Sequence, residues 1–456
     1  MLERTAGGRQ SDARSVAGSL RLASSTSALL AGLALVAVYV ALRTLNAPEA
    51  MVLAWTAVAA GLTVVSLAGG LTVLAAIGPF TEALSDDGRI TAVPFLLAAL
   101  GLGVVVLLAR LVLRRRFPRP PLAIGLAIVL FVGTLLAVGL TAWLFGTARG
   151  MAALELWAVG IGGGLTVLFA AWLVGREGEL RPVLIVAASI TLAAALSVAD
   201  TIFNGVVRES VLGWLLRSEV GPERLTGIIP APNAAATIFL MGLAPALAIA
   251  LFVPRSDYRL LAAAACVVLL AAIVLTHSRS ALLALVVIAA LAAWRWSGWR
   301  AFAGVTVIAL GAALAALAFP QLGLSREVPF WADEARLAAW SASAQMWLAA
   351  PFTGHGFRSF EWLHLEFGST LDAPHNEWLR FFAEGGLVAG VVGLGLLAAA
   401  LAALSRGRRW VAVAAAAGLA GFAVMASFNN PLLYVQVNVP AFLLLGMGIS
   451  REAVAP

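Results

Sequence analysis

The residues best suited to chemistry fall in one short run. His375, Asn376, Glu377, Arg380 and Glu384 follow Ala373 and Pro374 and are closed off by Gly385 and Gly386. A histidine that titrates near neutrality can take a proton from an attacking hydroxyl. Two more polar groups accompany it: Arg224 with Gly227, Pro232 and Asn233, and the turn His277, Ser278, Arg279, Ser280 between two apolar runs. Arginine keeps its charge and offers a planar fork that matches phosphate oxygens. Two arginines on a diphosphate and a histidine as general base are the minimal set for moving a group from a lipid diphosphate to an alcohol.

Each residue also has a plain structural use. His375 and Asn376 could cap a helix, and Arg279 could be a turn residue whose side chain snorkels to an interface. Glu377, Arg380 and Glu384 have the three- and four-residue spacings that pair along one helix face. Gly385, Gly386 and Gly390 suit close helix packing. The functional reading gains from three such clusters landing on one side of a membrane.

That membrane follows from composition. Hydrophobic residues make up 62% of the 456 residues and charged ones 12%, with a mean hydropathy of +0.98, whereas soluble domains carry roughly 25% charge. Apolar runs of about 20 residues, long enough to cross a bilayer, recur throughout. They predict an all-α polytopic transmembrane bundle of 12–14 spans, near 25–45, 51–79, 92–113, 121–146, 152–174, 182–203, 233–253, 259–276, 280–295, 301–319, 383–404, 410–428 and 435–451. Cys266 is the one cysteine, so no disulfide framework exists. The net charge of +7, carried by 30 arginines without lysine, suits anionic lipid headgroups and does not call for nucleic acid.

Arginine-rich loops mark the cytoplasmic side. With Arg114, Arg115, Arg116 and Arg119 inside, Arg224, Arg279 and His375 face outward. The resulting division is a cytoplasmic tail 1–24, a helical bundle 25–319, an outward loop 320–382 and C-terminal transmembrane helices 383–456. The N-terminal quarter resists this alternation. Arg4, Arg9, Arg14 and Arg21 ask for a cytoplasmic start and Asp86 and Asp87 for an outer loop, yet only two runs lie between. A break at Gly69 and Gly70, or a segment that does not cross fully, would reconcile them. In the outer loop Leu337, Trp340, Ala344 and Trp347 recur at helical spacing behind Asp333, Glu334 and Arg336. They predict an amphipathic helix lying at the interface or packed on neighbouring spans.

The run from His375 to Gly386 resembles the HNxxLxxLxExG signature of the O-antigen ligase and polymerase superfamily. Arg336, Trp340, Met346, Pro351 and the Gly354, His355, Gly356 triplet are similar to the segment that family carries in its large periplasmic loop. Residues 276–281 resemble its SRGA-type turn, and Arg224, Gly227, Pro232 and Asn233 its R-x-x-G…PN element. Phe382 stands where leucine is usual and Ser280 where glycine is common. The likeness covers roughly 220–450. It implies a bacterial inner-membrane glycosyltransferase, inverting and metal-independent, with no cofactor. Its donor would be an undecaprenyl diphosphate-linked glycan, and its acceptor lipid A-core or another lipid-linked glycan, met on the periplasmic face. By position, His375 would be the catalytic base, Arg224 and Arg279 would bind the diphosphate, and Arg336, Asn376, Glu377 and Glu384 would contact substrate or orient the site. Two alternatives remain open at this level: a metal-dependent lipid-linked sugar transferase using Asp86 and Asp87, and a flippase or transporter of lipid-linked glycans.

Overall fold

A computed structural model describes residues 49–80, 92–113, 161–176, 180–203, 231–301, 333–407 and 409–450, with isolated positions between them. The expected tail 1–24, most of the expected spans 25–45, 121–146 and 301–319, the Asp86–Asp87 pair and Arg224 lie outside the described residues. Among those described, the regular structure is helical and there is no strand. It is an all-α polytopic membrane protein. Hydrocarbon offers backbone groups no partners, so each spanning segment must satisfy its own.

Thirteen described helices follow in order: α1 Glu49–Val65, α2 Leu67–Ile77, α3 Ala92–Leu113, α4 Gly163–Arg176, α5 Arg181–Ile202, α6 Pro232–Phe252, α7 Ser256–Leu275, α8 Arg279–Ser297, α9 Glu334–Ala349, α10 Phe360–Leu363, α11 Glu377–Ser405, α12 Trp410–Ala426 and α13 Val435–Ile449. Six contain stretches long and apolar enough to cross a membrane: α3, α5, α6, α7, α8 and α11. Shorter apolar helices fill the interior between them. α6 is the most enclosed of the six, surrounded by α5, α7, α8 and α12. On α7, Leu260, Leu261 and Val267 point outward, as a lipid-facing side requires. Small residues set the closest approaches: Gly446 on α13 backs onto the Leu168 backbone of α4, and Gly164 meets the Phe442 ring. Such packing replaces the hydrophobic drive that lipid removes.

Two apolar runs are broken, each for a local reason. The run 51–79 stops at Val65, where Ser66 takes an extended conformation and its hydroxyl accepts the Gly69 N–H at 3.1 Å. The break therefore sits at Ser66 rather than at Gly69 and Gly70, because serine caps a new helix. The glycines serve the packing instead, since a side chain at Gly70 would strike Thr63. The second break lies inside α11 at Gly386, with φ 69° and ψ −170°. The carbonyls of Ala383 and Glu384 accept from the N–H groups of His355 at 3.2 Å and Gly356 at 2.8 Å, and the Leu387 N–H donates to the Pro351 carbonyl at 2.7 Å. A loop thus supplies the hydrogen bonds that the helix gives up.

The helix expected in the 320–382 loop is α9, but its buried face differs from the expected stripe. Ala339, Ala342, Ser343 and Met346 are buried, and the three apolar ones form a cluster with Phe360 of α10 and Ala383 of α11. Leu337 is exposed, and Trp347 lies to the side with its ring tilted over Phe382 at 5.2 Å. The small side chains take the contact because they let two helix backbones approach closely.

Candidate active site

His375 and Asn376 stand where α11 begins. Asn376 is the cap: its Oδ1 accepts the N–H groups of Trp378 at 3.1 Å and Leu379 at 3.0 Å. Its Nδ2 donates to the Ser427 carbonyl, 3.0 Å away at the end of α12. The Trp378 indole N–H donates to the Ser427 hydroxyl at 3.1 Å. With Asn376 occupied in this way, His375 is left out of the capping. Its backbone is left-handed, at φ 50°. Burial holds the imidazole below its usual 6.5, the Arg336 guanidinium lowers it further, and Asp372 and Asp333 work against that. The neutral, proton-accepting form is thereby favoured at neutral pH.

Arg336 comes from the first turn of α9, where Asp333 caps the helix by accepting the Arg336 N–H at 3.2 Å. The two side chains also face each other at 3.9 Å. Of the weaker sequence candidates, Arg336 is the one whose charge bears directly on His375.

Glu377 and Glu384 turn away toward Arg380. Arg380 Nη2 lies 2.7 Å from Glu377 Oε1, and its Nε lies 3.6 Å from Glu384 Oε2. All three side chains are buried. The guanidinium also sits over the Phe357 ring, 5.5 Å from its centre. Glu377 Oε2 accepts the Leu432 N–H at 3.1 Å, and Glu384 accepts the Arg358 N–H. The carboxylates that act on His375 are instead Asp333 and Asp372. His355, in the Gly354–Gly356 turn, is engaged with the Met346 carbonyl at 2.9 Å.

Arg279 is half-buried and opens α8. Ser278 caps that helix by accepting the Ala281 N–H, and its hydroxyl lies 3.2 Å from that of Ser280. Leu225, the residue after Arg224, donates its N–H to the Leu275 carbonyl at 2.9 Å, at the end of α7 beside this turn.

The turn between α12 and α13, which hydropathy does not single out, joins these pieces. Asn429 Nδ2 donates to the Ser280 hydroxyl at 3.2 Å, one residue from Arg279, while Ser427 holds Asn376 and Trp378. Asn430 is 5% exposed, and neither Nδ2 nor Oδ1 has a hydrogen-bond partner among the described residues. Leaving such a group unmatched costs about 1–3 kcal/mol. Ser427, Asn429 and Asn430 side by side between two apolar runs were the available signal.

Among the described residues, no group of three His, Cys, Asp or Glu side chains could hold a metal ion. The arrangement links the start of α11, where His375 stands, to the helix-opening Arg279 of α8 through one polar turn. A comparison with curated proteins finds no match. Residues 264–394, which contain α8, α9 and the start of α11, match the family model described as O-antigen ligase.

Proposed function

We propose that the protein is an inverting glycosyltransferase of the bacterial inner membrane. It moves a glycan from an undecaprenyl diphosphate carrier to an acceptor hydroxyl on the periplasmic face, the acceptor being lipid A-core or another lipid-linked glycan. In this reading His375 takes the proton of the acceptor hydroxyl as its oxygen attacks the anomeric carbon. The bond from that carbon to the diphosphate breaks, and the diphosphate leaves with the electron pair. Arg224 and Arg279 bind the leaving diphosphate, and no metal ion is required. Burial, aided by the Arg336 guanidinium, favours the deprotonated form of His375, and in this reading Arg336 also contacts substrate. Asn376, Glu377 and Glu384 hold the start of α11 in place.

The observation that carries this reading is the turn 427–430, which ties the start of α8 to the start of α11 through Asn429–Ser280 and Ser427–Asn376. The general base and one diphosphate arginine thereby belong to one assembly.

The test uses purified protein in lipid nanodiscs with a lipid-linked glycan donor and acceptor, reading product on a gel. Replacing His375 by alanine should slow transfer by about 10²–10⁴-fold. Arg279→Lys keeps charge but loses the fork, and should cost roughly ten- to a hundredfold. Near-normal rates in both variants would remove the mechanism. Loss of wild-type activity in chelator, restored by Mg²⁺, would instead favour the metal-dependent transferase built on Asp86 and Asp87.

A further inference from the structure

The Asn430 carbonyl accepts the Leu433 N–H at 3.2 Å, but its side chain has no structural task that its neighbours show. Asn429 beside it donates to Ser280 and to the Met425 carbonyl, Leu432 donates to Glu377, and Asn438 donates to the Leu432 carbonyl. Asn430 precedes the short 3-10 turn Pro431–Leu433, a position where asparagine often caps, yet its side chain makes no capping bond. It is 5% exposed with both amide atoms unmatched among the described residues. In a chain with few polar groups, a buried amide kept without partners needs an explanation such as a ligand or an ordered water. Its position in the chain suggests a ligand. It sits one residue from the contact to the Arg279 helix and two from the contact to the His375 helix.

The pair of unmatched atoms narrows the ligand chemistry. A phosphate oxygen only accepts, so it would leave Oδ1 unmatched. A carbohydrate both donates and accepts through adjacent hydroxyls, which matches a carboxamide at both atoms. We propose that Asn430 binds the sugar next to the diphosphate of the lipid-linked donor, Oδ1 accepting from one hydroxyl and Nδ2 donating to a neighbouring oxygen. This rests on the donor assigned above and adds a glycan-reading residue outside the matched segment 264–394.

The experiment compares binding of undecaprenyl diphosphate with and without one N-acetylglucosamine, using full-length protein in nanodiscs. The wild type should bind the glycosylated lipid more tightly. Asn430→Leu keeps the volume and removes both polar atoms, so thermal stability should hold. Affinity for the glycosylated lipid should fall about tenfold, as expected for two ordinary hydrogen bonds, with bare undecaprenyl diphosphate unaffected. Asn430→Ser retains a donor and an acceptor and should lose less. If the leucine variant does not yield folded protein, the serine variant must still show the selective loss. A wild type that binds both lipids equally, a loss shared by both lipids, or unchanged affinity in Asn430→Ser and Asn430→Leu would overturn the assignment and leave the donor reading standing. A wild type that binds neither lipid would refute the donor itself.

Discussion

Replacing Arg380 by methionine probes the buried ion cluster that anchors α11. Its guanidinium faces Glu377 at 2.7 Å and Glu384 at 3.6 Å, and the three side chains are 2%, 0% and 4% exposed. At an effective dielectric of about 20, each attraction amounts to roughly 5–6 kcal/mol. Desolvation takes back several kcal/mol per ion, so the assembled cluster is close to neutral in net stability. The two carboxylates also repel one another. Removing arginine alone leaves both buried without their cation, and breaking a buried pair in this way costs about 3–5 kcal/mol. That is roughly a hundred- to several-thousandfold in the folding equilibrium. Unfolding of detergent-purified protein, by heat or by SDS titration, should register the loss directly. The triple variant Arg380→Met, Glu377→Gln, Glu384→Gln removes all three charges and keeps an acceptor for the Leu432 N–H, so it should recover at least half of the deficit. An Arg380→Met protein as stable as wild type, or a triple variant no better than the single one, would show that the cluster does not hold this helix.

Gly386→Ala should be destabilising by at least about 2 kcal/mol, because only glycine readily takes that conformation and a Cβ there would overlap the Phe352 carbonyl. Gly395→Ala, later in the same helix, meets nothing within 4 Å and should be neutral; equal melting temperatures for the two would refute the role given to the break. The acid limb of the transfer rate should lie below pH 6.5, since His375 acts in its neutral form and its pKa is lowered from that value. Arg336→Gln removes one of the two causes, so pH–rate profiles should show the limb moving up toward 6.5. A limb that stays in place would disconnect it from His375.

Much of the candidate site was legible because polarity is costly in such a chain. His375, Asn376, Arg279 and Arg336 stood out against their surroundings, and the alternation of structural and chemical uses could be stated from spacing. The split of roles between neighbours could not. Asn376 caps α11 and reaches Ser427, which leaves His375 free of that duty. Glu377 and Glu384 had the spacing to pair with Arg380, and they do so, but nothing local announced that Asp333 and Asp372 would be the carboxylates acting on His375.

Hydropathy by itself determined the fold class and most described boundaries. The expected spans 182–203 and 233–253 meet helices Arg181–Ile202 and Pro232–Phe252. Lipid imposes this, since a segment in hydrocarbon must be apolar and must close its own hydrogen bonds. Tertiary structure alone decided the buried face of α9, the break at Gly386 and the joining of Ser280, Asn429, Ser427 and Asn376. Periodicity reports how apolarity runs along one helix. It does not report which distant backbone carbonyl an N–H will meet, because those groups are the same in almost every residue and only packing selects among them.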